Sequence, residues 1–371
     1  DEVVTGTGRV TITGASGTTL AVDAALLSGD GSVDTGDAEL VVDGSSGGVN
    51  VSGIEQDVDA SGFSGDLTLT TPGYDAGTDS GGVAGEENGT GRDTPAFAVL
   101  AGSGNTTVDG ADAVSGDRET VDIEVDVSAA TASSVVTLEG TAEYRVINNG
   151  AAEVTLDISA IGDDNTVLLE GSGDFELTGT QADVDATGLT GGVAVRTLDD
   201  AGPTVIEVEA GTGVTRVDAV NANDEITLDA SALADDEADV RNDSGTDITE
   251  AFVEGSGSVT VNALSADLDA SAHTGSLLVD VAQIGFPIDD VDITLGARGG
   301  VVDVSDSSQT GTNLAAFIDA SSVGSGDVVE LRGIDQAVEV TALGDGVVVD
   351  AASDADGYAG ALDLVTELGA Q

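Results

Sequence analysis

Three Asp-x-Asp pairs offer the most definite chemistry in the chain. Asp57/Asp59, Asp183/Asp185 and Asp267/Asp269 open the segments DVDASGFSGDLTL, DVDATGLTGGVAV and DLDASAHTGSLLV. Clustered carboxylate oxygens are what hard cations such as Ca2+ take as ligands. These six aspartates are therefore candidate calcium ligands. The Ser or Thr that follows each pair suits a second role, in which Asp and hydroxyl side chains cap turn amides. Both readings stand at this point. Strand alternation puts Asp57 and Asp59 on one face and Val58 and Ala60 on the other. With the apolar pair inside, stacked copies predict a column of outward carboxylates.

Other residues invite chemistry less strongly. Acidic clusters recur at Asp289, Asp290 and Asp292, at Asp303 and Asp306, and at Asp354 and Asp356. The DADG beginning at Asp354 resembles the middle of a calcium loop, but the loop's first ligand falls on Ala352, which has no side-chain oxygen. His273 is the single histidine and the obvious general base. It occupies the slot that Phe63, Leu189 and Tyr358 fill in the sister segments, so it reads as a packing residue. A base would also need a placed partner. Asn50, Asn88, Asn105 and Asn242 begin Asn-x-Ser/Thr sequons.

These residues must be positioned by a repeat. Turn glycines fall at Gly6, Gly44, Gly102, Gly140, Gly171, Gly211, Gly255, Gly296 and Gly333. Most intervals are close to 40 residues, which is the signature of a repeat architecture. Each unit holds a Gly-rich turn, an alternating strand, a short link and an Asp-Ala-Ser/Thr-like segment. One interval is longer and contains Gly73–Pro95, a Gly- and acid-rich stretch without periodicity. It reads as a surface insertion in a single array covering residues 1–371. Short β-branched or alternating runs bounded by Gly, Asn and Asp predict strands. No window carries a helical stripe.

An all-β repeat of this length fits a β-solenoid, a β-propeller or a tandem β-sandwich. Nine units with aromatics at 2% do not suit a propeller of 4–8 blades with aromatic signatures. A solenoid core of stacked Val, Leu, Ile and Ala matches the composition. With two coils of about 20 residues per unit, some 18 coils would extend on the order of 85 Å at strand spacing.

Composition removes several function classes. There are 70 acidic residues and nine basic ones, giving a net charge of −61. All nine are Arg. Nucleic acid and anionic membranes are excluded as partners, because both need basic patches. The self-repulsion of such a surface calls for counter-ions, and calcium is the expected one. With no Cys, disulfides, thiol catalysis and thiolate metal sites are out. No apolar run is long enough to span a membrane as a helix. The chain lacks Met, so Asp1 is expected to follow processing, which points to export.

The DASGFSGDLTL and DATGLTGGVAV units resemble repeats of bacterial surface-layer proteins and of large secreted adhesins of the repeats-in-toxin type. The resemblance implies an extracellular β-solenoid that assembles outside the cell, often with Ca2+. The Gly-rich calcium nonapeptides of those proteins are missing, so no family metal ligands carry over. The Lys-free acidic surface also resembles proteins of salty habitats. The reading is an extracellular, self-assembling, non-catalytic structural protein, a surface-layer or fibre subunit, with copies of itself as partner. A secreted adhesin or carbohydrate-binding solenoid with a cell-surface glycan as partner is the first alternative. A polysaccharide lyase or hydrolase is the second. Strand-like pieces near both ends, without a polar capping helix, favour assembly, since uncapped strand edges invite pairing.

Overall fold

The structure, a computed structural model, describes residues 2–6, 10–14, 18–27, 40–44, 47–54, 57–71, 97–110, 123–163, 165–199, 202–233, 251–264, 266–281, 291–304, 314–332, 337–341, 348–351 and 362–364. Among them there is no helix, and so none long and apolar enough to cross a membrane. The stretch Gly73–Pro95 lies outside the described residues, between two strands of the array.

The chain forms two compact units, Asp1–Gly191 and Gly192–Gln371. The first contains β1 (Glu2–Gly6), β2 (Val10–Thr13), β3 (Thr19–Leu27), β4 (Leu40–Asp43), β5 (Gly48–Ser52), β6 (Val58–Asp59), β7 (Asp66–Thr70), β8 (Phe97–Leu100), β9 (Thr106–Gly110), β10 (Ile123–Asp126), β11 (Val135–Gly140), β12 (Tyr144–Asn148), β13 (Val154–Ile161), β14 (Thr166–Gly171), β15 (Phe175–Thr180) and β16 (Asp183–Leu189). The second contains β17 (Val193–Thr197), β18 (Val205–Glu209), β19 (Thr215–Ala219), β20 (Glu225–Asp229), β21 (Ala251–Gly255), β22 (Ser258–Leu264), β23 (Leu268–Asp269), β24 (Ser276–Val281), β25 (Val291–Thr294), β26 (Gly299–Asp303), β27 (Leu314–Asp319), β28 (Val328–Arg332), β29 (Ala337–Thr341), β30 (Val348–Ala351) and β31 (Leu362–Leu364).

Within each unit odd-numbered strands pair only with odd and even only with even, in sequence order. Each pairing with a given register is parallel, as between β10 and β12 or β20 and β22. Two strands make one coil, one per sheet. This is a β-solenoid. Leu156 lies in register 20 residues after Val136 and 21 before Leu177. One coil is therefore half of the 40-residue spacing read in the sequence.

Among the described residues there are 31 strands at two per coil, so the nine sequence repeats make fewer coils there than the expected 18. The reason is visible in the Asp-x-Ser/Thr segments. They lie on β6, β10, β13, β16, β20, β23 and β27. The step between them is four strands or three. A step of four is two coils and returns to the same sheet. A step of three moves the segment to the other sheet.

Inward-facing residues stack in register. One column of the first unit runs Val10, Leu40, Val58, Val99, Val125, Val146, Leu169. The odd-numbered strands supply Leu20, Val49, Leu67, Thr106, Val136, Leu156, Leu177. In the second unit Val208, Leu228, Val261, Val279, Val302 and Leu331 do the same. From Leu40 onward nearly all of these side chains are buried, and full burial of each aliphatic contributes about 1.5–3 kcal/mol. β-Branched and γ-branched side chains of similar volume suit such a ladder, which explains a core without Met or Trp.

Two backbone devices hold the corners. At Gly65 an added Cβ would sit 2.0 Å from the Gly47 carbonyl oxygen, and at Gly104 it would sit 2.0 Å from the Gly65 oxygen. Coils therefore stack there backbone on backbone. Where the strand leaves the ladder, Gly53 (φ 73°), Gly179 (φ 70°) and Ala263 (φ 53°) occupy one equivalent position in the left-handed region. Of the turn glycines read from the sequence, Gly44, Gly140, Gly171 and Gly255 also have positive φ.

Candidate functional site

The second aspartate of every pair caps a corner. Asp59 Oδ1 accepts from the Ser61 N–H at 3.1 Å and the Ser61 hydroxyl at 2.6 Å. Asp185 accepts from Thr187 at 2.9 and 2.6 Å, and Asp269 from the Ser271 N–H at 2.8 Å. Asp126, Asp157, Asp229 and Asp319 hold the N–H two residues on in the same way. The first aspartate can reach across coils: Asp57 Oδ1 accepts from the Ala98 N–H at 2.8 Å, and Asp267 Oδ1 from the Asp292 N–H at 2.9 Å. Asp183 stands at the start of β16, opposite Thr166. Among the described residues no group of three or more His, Asp or Glu is gathered as a metal set. Asp289, Asp290, Asp306, Asp354 and Asp356 lie outside the described residues, as do Tyr358, Asn88 and Asn242.

The expected single column of carboxylates is corrected. Asp57/Asp59 and Asp183/Asp185 belong to the even-numbered strands β6 and β16, and Asp267/Asp269 to odd-numbered β23. Three-strand steps cause the change of sheet. Carboxylates on one sheet are also interleaved with neutral side chains. One outer column reads Val41, Asp59, Leu100, Asp126, Ile147, Glu170. Another reads Asp269, Thr294, Asp319, Thr341. Like charges are then two strand spacings apart, about 9.6 Å instead of about 4.8 Å. In bulk water this lowers each repulsion from about 0.9 to about 0.4 kcal/mol. Direct acidic neighbours do occur, as at Asp109/Glu139 and Glu209/Asp229. In the run Asp280, Asp303, Arg332 the next strand brings a guanidinium.

His273 fills the slot that the repeat assigned to it. The Gly255–His273 bridge matches the Gly44–Phe63 bridge, and Phe63, Leu189 and His273 are all buried. Its Nδ1 lies 3.2 Å from the Glu254 carbonyl oxygen and its Nε2 3.2 Å from that of Ser276. Two carbonyl acceptors and a 1% exposed ring leave it bracing a corner.

Three polar groupings were not anticipated from the sequence. Asp224, 1% exposed, accepts from the Thr197 hydroxyl at 2.6 Å, the Asn221 N–H at 2.9 Å and the Thr204 N–H at 3.2 Å. Neutral donors thus satisfy a buried carboxylate. On the even-numbered strands, Arg145 bridges Glu124 at 3.0 Å and Glu170 at 3.1 Å, clamping β10, β12 and β14. Its outer-face neighbours include Ile147 and Leu168. The third grouping lies on β17, β19 and β21. Arg196 Nε is 3.5 Å from Asp218 Oδ2. Arg216 is paired with Glu254, and its guanidinium lies over the Phe252 ring, 4.7 Å from the centroid. Burial pushes the Asp218 carboxyl above its ordinary range, with Glu254 adding to the rise while Arg196 and Arg216 oppose it.

Comparisons with protein-family models, with curated proteins and with solved structures find no match.

Proposed function

We propose that this protein is an extracellular, non-catalytic structural subunit that assembles with copies of itself into a surface layer or fibre, with cations as its counter-ions. The observation that carries this reading is the outer face of the even-numbered strands in the first unit. There Val41, Leu100 and Ile147 alternate with Asp59, Asp126 and Glu170 in one outer row, in register from coil to coil, and Leu168 stands in the next outer row between Arg145 and Asp185. A regular sheet face with aliphatics in fixed rows suits packing against a like face. The interleaved Asp59, Asp126 and Glu170 oppose contact until their charge is screened or bridged by Ca2+. Association is therefore governed by salt and divalent cations. The pairs Asp57/Asp59, Asp183/Asp185 and Asp267/Asp269 act mainly as corner caps in this account, and the cations gather along the acidic rows between copies.

Surface variants test it. Ile147→Asp and Leu168→Asp add charge to the rows without entering the core. Each should raise the concentration at which light scattering reports association at least tenfold, with an unchanged circular-dichroism spectrum. Association at the wild-type concentration would count against this face as the contact.

A further inference from the structure

The chain has nine aromatic residues, three Tyr and six Phe. Among the described side chains Phe63, Tyr144, Phe175 and Phe317 are buried. Phe252 is the one that is not. A core made of aliphatics has no need to place an aromatic on its outer face, so the position asks for a reason. Of the five described arginines, Arg216 lies over its ring and Arg196 stands on β17 of the same sheet face, two strands away. The side chains of Arg196 and Arg216 are 56% and 45% exposed, those of Asp218 and Glu254 26% and 35%. Consecutive strands of one sheet set their registers: Arg196 opposite Asp218, Asp218 opposite Glu254, and Arg216 opposite Phe252.

The pairing decides which ligand fits. Two guanidiniums and two carboxylates sum to zero charge, on a protein whose net charge is −61. An anion would have to displace Asp218 or Glu254 from its arginine and approach against the charge of the whole chain. A hydroxyl meets neither obstacle. It accepts from a guanidinium N–H and donates to a carboxylate at once. Each guanidinium has five N–H donors, and the ion pairs involve one nitrogen of each, Arg196 Nε and Arg216 Nη1. Stacking on Phe252 fixes the plane of Arg216, and Glu254 fixes its rotation, so little conformational freedom remains to be lost on binding. Adjacent hydroxyls on a sugar ring match alternating donors and acceptors, and the C–H face of the ring matches the apolar surface of Phe252.

We propose that the outer face of β17, β19 and β21 is a binding site for a neutral glycan, held through adjacent hydroxyls by Arg196, Asp218, Arg216 and Glu254 beside Phe252. The site stands on different residues from the aliphatic rows of the first unit and does not depend on self-assembly.

Affinity electrophoresis and titration calorimetry on the full chain, with cellohexaose, mannohexaose and chitohexaose as neutral probes and polygalacturonate as the anionic one, test the site. At least one neutral hexasaccharide should bind. Phe252→Ala and Arg216→Ala should each weaken it about tenfold or more, the loss expected when one charged hydrogen-bonding or stacking group goes. Phe252→Tyr should restore it, and Arg332→Ala, at a remote ion pair with Glu330, should leave it unchanged. Melting curves of the variants confirm that they are folded. Failure of all three neutral probes to bind overturns the proposal. So does retained affinity in Phe252→Ala and Arg216→Ala, or preference for polygalacturonate. A change in sedimentation of Phe252→Ala without glycan, with no change in glycan affinity, would instead make this patch a contact between copies.

Discussion

Replacing Leu100 by Asp would join Asp59 and Asp126 into an unbroken acidic run, because Leu100 lies in register between them. Two new like-charge contacts form at about 4.8 Å. Each costs about 0.9 kcal/mol in bulk water and about 3.5 kcal/mol at the effective dielectric of a protein surface. The sum lies between about 2 and about 7 kcal/mol before screening. Leu100→Asn is the control, since it loses the same aliphatic contact without adding charge. The Asp–Asn difference is therefore the electrostatic cost alone. With a screening length of about 10 Å at 0.1 M salt and about 3 Å at 1 M, the difference should be about 1 kcal/mol or more at the lower salt and a few tenths at the higher. Urea unfolding of both variants across a NaCl series measures it. A difference that is absent at 0.1 M, or identical at 1 M, would refute the claim that interleaving keeps these carboxylates apart for electrostatic reasons.

Ala263→Gly should stabilise the protein by about 0.5–1 kcal/mol, because a left-handed residue with a Cβ costs about 1–2 kcal/mol and glycine's extra chain entropy returns part of that; its sisters Gly53 and Gly179 already have the favoured residue, and an unchanged or lowered melting temperature would contradict the equivalence of the three positions. Gly104→Ala should destabilise severely, since its Cβ would meet the Gly65 oxygen at 2.0 Å, and a tolerated substitution would mean that the corner stack is wrong. Stability should fall at alkaline pH through Tyr144. Its hydroxyl accepts from the Gly110 N–H at 2.8 Å and faces the Glu139 carbonyl at 2.6 Å, and burial pushes its phenol above the ordinary value. A raised folded value means that this stability is intact below the unfolded value of about 10 and is lost as pH rises beyond it, at up to about 1.4 kcal/mol per pH unit. Tyr144→Phe should show a shallower alkaline loss in pH-dependent melting, and an equal loss would assign it to other groups.

The coil and its core were legible because they are local and repeated. Alternation in DVDA fixes which side chains point inward, and each copy repeats it. His273 could be placed by aligning it with Phe63 and Leu189, since a corner slot asks only for volume. The number of coils was not legible. It depends on whether successive Asp-x-Ser/Thr segments are three strands apart or four, and the links between them differ too little in composition to tell. The interleaving of Asp59, Leu100 and Asp126 was hidden for the same reason, as register between coils is set by links of unequal length. The Phe252 site was the least visible. Arg196, Arg216 and Phe252 are far apart in sequence and meet only because β17, β19 and β21 are consecutive in one sheet.

Electron microscopy of the protein at native salt, before and after removal of divalent cations and dilution of NaCl, tests whether the chain assembles with itself under the control of cations. Ordered sheets or fibres are expected at native salt. They should release single subunits when cations are withdrawn, and return with millimolar Ca2+ if bridging dominates or only with molar NaCl if screening does. Isolated particles at every salt and protein concentration would contradict self-assembly.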